Sequence, residues 1–140
     1  MRLQVYLEHS DAKQPSVAYG ISAGVDVYSI EDVTIEPGKS AKVHNGLRFI
    51  IPNGYYLTSH TRSSLGFLKD LYVYPGVFDA SFAGTYELKI YNLGDTEITI
   101  KKGDKYAQFI LHKVEMTGLE CIDNKTWEKY ASNKQRGELV

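Results

Sequence analysis

The sequence is poor in cysteine, in net charge and in long apolar runs. Its 140 residues contain one cysteine, Cys121, which excludes an internal disulfide and a tetrathiolate zinc site. Sixteen Lys and Arg residues balance 17 Asp and Glu residues, so the broad basic face typical of proteins that bind polymeric nucleic acid is missing. No run approaches the roughly 18 apolar residues of a membrane-spanning helix. Glu8 and Asp11 come too early in the sequence to leave room for the apolar stretch of a signal peptide. We therefore expect a cytoplasmic protein.

Several catalytic motifs are also missing. Neither GxGxxG nor GxxxxGK[ST] occurs, so the common glycine-loop phosphate cradles are excluded. The histidines fall into no HExxH or HxE pattern, and Cys121 has no CxxC partner, which argues against a zinc deaminase. No GxSxG elbow supports a serine hydrolase. We interpret the histidines as half-buried strand or surface residues and Cys121 as a small core residue.

What the sequence does contain is the periodicity of strands. Short runs rich in Val, Ile, Tyr, Phe and Thr alternate apolar and polar residues, and Pro-Gly, Asn-Gly and Gly-Asp turns separate them. This pattern predicts one all-β domain over 1–140, a sandwich, barrel or jelly roll. We expect at most two short helices, one after Arg62 and one within 123–135, and a mobile arm over about 124–140. The predicted strands cover 3–7, 25–30, 41–51, 54–60, 86–91, 96–100 and 106–114.

Four short stretches interrupt the strand pattern with polar residues and glycines. They are 23–29 (AGVDVYS), 62–66 (RSSLG), 76–84 (GVFDASFAG) and 103–108 (GDKYAQ). Each taken alone is also typical of a strand start, a polar loop, a hairpin or a turn. Their order and spacing along one chain are far more specific than any single stretch.

Together the four stretches resemble the motifs of the trimeric deoxyuridine triphosphatases (dUTPases) and of their relatives, the dCTP deaminases. The similarity runs from about residue 20 to about residue 113, and it includes the linking segment GLRFIIPNGYYLTSHTRSSLG. The resemblance implies a β jelly roll, a distorted barrel, that forms homotrimers with three active sites at subunit boundaries. It also implies hydrolysis of dUTP to dUMP and pyrophosphate with Mg²⁺, in the cytoplasm of a cell or of a phage-infected host.

The resemblance assigns roles to individual residues. Asp79 matches the aspartate that activates the attacking water and holds the deoxyribose 3′-hydroxyl. Asp26 matches the aspartate that reaches the magnesium through water, and Gln108 the glutamine that donates near the α-phosphate. The second stretch matches the family motif that contacts the phosphates, and the matching residues are Arg62, Ser63, Ser64 and Gly66. The predicted hairpin matches the family segment that contacts the base and sugar, and the matching residues are Gly76, Val77, Phe78, Phe82 and Glu87.

The chain departs from the family pattern in three places. Phe82 replaces the usual tyrosine that packs on the deoxyribose; its ring face is kept, so we expect sugar discrimination to survive. Glu87 faces either the base pocket or solvent, and we favour solvent. The family's closing arm resembles RGxxGFGSTG, whereas here Arg136-Gly137 is followed by Glu138-Leu139-Val140. Arg136 is therefore a predicted substrate contact within an incomplete fifth motif, and we expect weak turnover.

Two other functions stay open at this stage. A dCTP deaminase needs a glutamate in a pattern similar to LEFYN, but the matching segment LKIYN has Lys89 there, with Glu87 two residues earlier. A dUTPase-fold protein that binds a nucleotide or a regulatory partner with little turnover would fit the incomplete fifth motif. The polar residues of all four other motifs are retained, which argues against a binding protein with little turnover.

Overall fold

The computed structural model describes residues 2–17, 20 and 22–134 of the chain. Over this part the regular structure is mostly strand, as predicted, with two short helices. The strands are β1 (Gln4–Leu7), β2 (Ser16–Val17), β3 (Gly24–Tyr28), β4 (Val33–Ile35), β5 (Ser40–Val43), β6 (Leu47–Ile50), β7 (Tyr55–His60), β8 (Leu71–Val73), β9 (Val77–Asp79), β10 (Leu88–Asn92), β11 (Ile98–Ile100) and β12 (Lys105–Lys113). The helices are α1 (Ser63–Lys69) and α2 (Asn124–Ala131).

The strands pair antiparallel in four sheets. The largest has the order β2-β3-β12-β7-β9, and a second has the order β5-β10-β8; β1 pairs with β6, and β4 with β11. Over the described residues these sheets do not join into one closed ring, so the predicted jelly roll is open and not a closed barrel. Within the largest sheet, the pairing of β12 with β3 shifts register between Lys105 and Ala107.

Asn45 divides the predicted 41–51 strand into β5 and β6. Its amide nitrogen donates to the Tyr86 carbonyl at 2.8 Å, and its amide oxygen accepts from the Leu47 N–H at 3.0 Å. Gly46 follows with φ +69°, where a Cβ would also come within 2.7 Å of the His9 Cβ. The strand break therefore depends on a buried amide and on a glycine that no other residue replaces without strain.

The core between the sheets contains a group of five rings that we call the aromatic cluster. It consists of Phe49, Phe78, Phe82, Tyr86 and Phe109, with neighbouring centroids 4.9–5.9 Å apart. Most of these pairs are edge-on or tilted, the arrangement that aromatic quadrupoles favour. Because Phe78 and Phe82 belong to the predicted hairpin, this core connects directly to the candidate site.

Both helices lie where the sequence predicts them. Helix α1 begins after the extended Arg62 and ends at Asp70, whose φ is 54°. Helix α2 begins at Asp123, whose side chain accepts from the Thr126 N–H at 2.8 Å. The described helices are all too short to cross a membrane.

One prediction outside the sheets is wrong. Cys121 is exposed, because it lies in the irregular segment between β12 and α2 and not in the core. The mobility expected for 124–140 stays a prediction. Arg136 lies outside the described residues.

Candidate active site

One cavity collects most of the polar residues predicted from the first, second and fourth motifs. It has a volume of about 280 Å³. Asp26 of β3, Gln108 of β12 and His60 of β7 are direct neighbours across the five-stranded sheet. This register brings motifs that are far apart in sequence onto one face, and α1 starts beside them. The lining residues are Ser22, Asp26, Arg62, Ser63, Ser64 and Gln108, which we call the phosphate half-site.

Asp26 is the charge centre of this half-site. Its side chain is only 8% exposed, and a carboxylate buried to that extent is stable only with cationic or hydrogen-bonding partners. The Arg62 Nε donates to Asp26 Oδ1 at 3.2 Å, and the Lys105 Nζ lies 3.8 Å from Oδ2. Arg62 also donates from Nη1 to the Lys105 carbonyl at 3.3 Å. The guanidinium is thereby held in the cavity wall.

Gln108 is oriented by its own contacts. Its Nε2 donates to the Thr61 carbonyl at 3.1 Å. Across the sheet, a Cβ on Gly24 would lie 2.2 Å from Gln108 Oε1, so a larger residue there would force the Gln108 amide out of this position. Gly24 is thus a site-shaping residue that sequence reasoning missed. Its signal was a glycine at the start of a strand, a residue that can mark the close approach of another chain segment.

The predicted base Asp79 lies elsewhere in the same chain. It ends β9, opposite Tyr56 of β7, whereas Arg62 follows the other end of β7. The strand from Tyr56 to His60 alone spans about 13 Å. A single chain therefore does not bring Asp79 to the phosphate half-site.

The Asp79 carboxylate is exposed and is held by its own hairpin. Its Oδ1 accepts from the Ser81 N–H at 3.1 Å and from the Ser81 hydroxyl. This fixes the direction of one oxygen and leaves the group accessible to a ligand. Such a carboxylate is suited to accept a proton from water.

The remaining hairpin residues surround Asp79 and form what we call the base half-site: Gly76, Val77, Phe78, Asp79 and Phe82. The Gly76 N–H donates to the Ser59 Oγ at 2.7 Å, which anchors the start of β9. A Cβ on Gly76 would lie 2.9 Å from the Phe78 ring. Val77 is 72% exposed and Phe82 is 37% exposed, so both offer apolar surface to a ligand.

Glu87 lies in a different environment. It borders a separate cavity of about 310 Å³. Its Oε2 is 2.5 Å from the His44 Nε2, and its Oε1 is 3.9 Å from the Lys42 Nζ. The other ring nitrogen of His44, Nδ1, lies 2.7 Å from Glu31 Oε1. Glu87 is thus engaged in a histidine–carboxylate cluster, and its predicted contact with substrate stays a prediction.

This cluster predicts a pH-dependent stability. The hydrogen bond to Glu31 raises the pKa of His44 against the opposing effect of burial, and Glu87 raises it further. A histidine with a raised folded-state pKa stabilises fully below its unfolded value of 6.5, and the contribution is lost as pH rises through the folded value. We expect His44→Asn to lower Tm by about 2–4 °C at pH 6 and by much less at pH 9.

Thermal unfolding followed by circular dichroism at both pH values measures this difference. His9→Asn is the matched control, because His9 has one carboxylate neighbour at 4.0 Å, that of Asp11. An equal Tm loss for His44→Asn at pH 6 and pH 9 would show that the cluster contributes through packing and not through charge.

Comparison with known proteins places this arrangement in a family. The family model described as dUTPase matches residues 10–137. The chain is 38% identical over 108 residues to the deoxyuridine 5′-triphosphate nucleotidohydrolase of Mycobacterium leprae (strain Br4923), covering 75% of this chain and 70% of that one. It is 35% identical over 125 residues to the enzyme of the same name from Fowlpox virus (strain NVSL), covering 85% and 86%.

Solved structures share the fold. A mutant dUTPase from phage phi11 of S. aureus superposes with a TM-score of 0.82 at 23% identity, covering 89% of this chain and 98% of that chain. That structure is described as revealing the coordination of a structural Mg(II) ion. A dUTPase of Staphylococcus bacteriophage 80alpha also superposes with a TM-score of 0.82 at 23% identity, covering 88% and 97%. These similarities confirm the predicted jelly-roll fold.

Proposed function

The chain belongs to the dUTPase family, and from this premise we propose that it hydrolyses dUTP to dUMP and pyrophosphate with Mg²⁺. The observation that carries the proposal is the phosphate half-site, where Asp26, Arg62 and Gln108 converge with the serines that begin α1. Such a set of hydrogen-bond donors, placed around a single buried carboxylate, suits a polyanion such as a nucleoside triphosphate.

The phosphate half-site supplies donors of three kinds. Arg62 brings a guanidinium, which can pair with phosphate oxygens in two places. Ser63 and Ser64 bring hydroxyls together with the N–H groups at a helix start, which have no acceptor within the helix. Gln108 brings an amide whose direction is set by Thr61. In the proposed complex these groups hold the triphosphate and offset its charge locally, although the whole chain carries a formal charge of −1.

The residues present suit a magnesium ion that arrives with the nucleotide. Among the described residues no group of three or more His, Cys, Asp or Glu side chains is arranged as a metal cage. Asp26 is the carboxylate that lines the phosphate half-site. Mg²⁺ commonly uses one carboxylate together with phosphate oxygens and waters, and when bound it neutralises charge on the phosphates. Asp26 would hold it, through water as the family pattern implies.

Asp79 is the proposed general base. Its exposed carboxylate, fixed by Ser81, accepts the proton of the water that attacks the α-phosphorus. The bond from that phosphorus to the oxygen bridging to the β-phosphate breaks, and pyrophosphate leaves with the electron pair. Val77 and Phe82 provide the apolar surface against which base and sugar pack.

Because one chain separates the two half-sites, we propose that neighbouring copies in a homotrimer complete each active site. Exposed apolar side chains support self-association, since monomers rarely expose contiguous apolar patches of this kind. Phe67 is 88% exposed, Tyr72 44%, Tyr74 56% and Leu93 66%, and these residues line adjoining cavities at β8 and β10. A solution mass near three times 15.8 kDa is the expected result, and a stable monomer would contradict the shared site.

Deamination of dCTP is disfavoured. Lys89, at the position where that chemistry requires a glutamate, is exposed on β10 with its ammonium 5.3 Å from the centre of the Tyr91 ring. The nearest carboxylate in sequence, Glu87, is engaged by His44. Release of ammonia from dCTP would overturn this argument.

A pyrophosphate-release assay tests the proposal directly. dUTP, dCTP, dTTP and UTP are each supplied with Mg²⁺, and the same reactions are repeated with excess EDTA. We expect release from dUTP in preference to the other three, and its loss with EDTA. Measurable dUTP binding without release of pyrophosphate would instead support a nucleotide-binding regulatory protein.

A further inference from the structure

Phe82 owes its position in the base half-site to its neighbours and not to the hairpin backbone alone. Its ring contacts two others in the described part of the chain, Phe78 at 5.5 Å and Tyr86 at 5.1 Å between centroids. The Tyr86 ring meets it edge-on, at 78°. The tip of the same ring lies close to Gly84, where a Cβ would come within 2.6 Å of the Phe82 Cζ. Phe82 therefore contacts both a supporting ring, that of Tyr86, and a backbone position without a side chain, Gly84.

Tyr86 is an unusual residue to find in that supporting position. It is 0% exposed, yet its hydroxyl has no hydrogen-bond partner among the described residues. Leaving a buried hydroxyl unpaired costs about 1–3 kcal/mol, so phenylalanine would fill the same place more stably. Burial, and after it the charge of Asp79, raise the pKa of Tyr86, so the phenol is neutral at physiological pH.

We propose that Tyr86 and Gly84 are positioning residues that determine sugar specificity by holding the Phe82 ring flat against the deoxyribose. The proposal rests on the proposed function. A ring fixed at that place leaves no room for a ribose 2′-hydroxyl, whereas a ring free to tilt admits it. In this proposal Phe82 discriminates between the two sugars, and Tyr86 and Gly84 supply its rigidity.

The test compares dUTP with UTP in four variants. Tyr86→Leu removes the supporting ring, and we expect the ratio of kcat/KM for dUTP over UTP to fall about tenfold, mainly through faster use of UTP. Gly84→Ala pushes the Phe82 ring aside without opening a core cavity, and we expect a similar fall. If Tyr86→Leu does not fold, the ratio measured for Gly84→Ala tests the positioning role.

Two matched variants separate positioning from general loosening of the core. Phe49→Leu shortens another member of the aromatic cluster, 4.9 Å from Tyr86, and we expect a lower Tm with an unchanged dUTP to UTP ratio. Tyr86→Phe keeps the ring and removes the unpaired hydroxyl, so we expect the parental ratio with a raised Tm. If Phe49→Leu lowers the ratio as much as Tyr86→Leu does, the effect is core loosening and the proposal is wrong. A lowered ratio in Tyr86→Phe would assign the role to the hydroxyl and would also overturn it.

Equilibrium dialysis with dUTP and UTP gives the same comparison without turnover. If the parental protein binds dUTP but releases no pyrophosphate, the proposed function fails while the affinity ratio still tests the positioning role. Unchanged affinity ratios in both Tyr86→Leu and Gly84→Ala, with intact folds, would contradict it.

Discussion

Replacing Asp79 with asparagine is expected to reduce pyrophosphate release from dUTP by about 10³-fold, because the general base is lost. Asparagine keeps the size of the side chain and an oxygen that can accept from the Ser81 N–H, as Asp79 Oδ1 does at 3.1 Å. The hairpin should therefore keep its shape, and dUTP affinity should change by less than about threefold. A fall in kcat at nearly constant dissociation constant is the signature of a group that acts only in the reaction.

Single-turnover release of pyrophosphate and equilibrium binding of dUTP measure the two quantities separately. Asp95→Asn is the matched control, because Asp95 is exposed in the turn between β10 and β11 and its replacement changes the net charge equally. An Asp79→Asn protein as active as the parent would remove Asp79 from the mechanism. Lost binding with the same loss of rate would mean that it holds substrate without acting as a base.

Two inactive variants are expected to restore activity when they assemble together. Arg62→Gln damages the phosphate half-site but keeps a donor for Asp26, and Asp79→Asn damages the base half-site. In a cyclic trimer each site takes one half from each of two neighbours. A trimer that contains both variants then has one site in three with both halves intact, so about one third of the parental activity should return.

The variants are co-expressed with different affinity tags, and the mixed trimers are purified through both. The control pair is Arg62→Gln with Gln108→Leu, which damages the same half-site twice and should restore nothing. Activity near zero in the Arg62→Gln and Asp79→Asn mixture, with trimers intact, would show that each site is built from one chain. Recovery in the control pair would also contradict the shared arrangement.

The fold was largely predictable because it depends on local patterns. Alternation of apolar and polar residues predicted most strands, and the helical spacing of apolar residues within 123–135 predicted α2. Short strands such as β4 (Val33–Ile35) and β8 (Leu71–Val73) were missed. Three residues give too few repeats for a period to be recognised. The prediction that Cys121 lies in the core was wrong, because cysteine is buried only on average. The irregular segment that contains Cys121 runs over the surface.

The candidate site was predictable in its residue types and not in its geometry. The motif residues were recognisable because a phosphate site needs particular side chains in a particular order. Gly24 was not recognised, since its role depends on an approach of Gln108 from a neighbouring strand. Tyr86 was likewise missed, because its burial and its unpaired hydroxyl exist only once five aromatic rings meet in the core.

By itself the sequence determined the all-β class, the family and the chemical character of the site, because these follow from periodicity and from short ordered motifs. Only the tertiary structure decided which residues meet. The register of β7 with β12 and β9 gathers Asp26, Arg62 and Gln108 at one end of the sheet and leaves Asp79 at the other. Local alternation decides which face of a strand a residue occupies, but which strands pair depends on contacts between distant segments, and here that pairing makes a shared active site the arrangement to test.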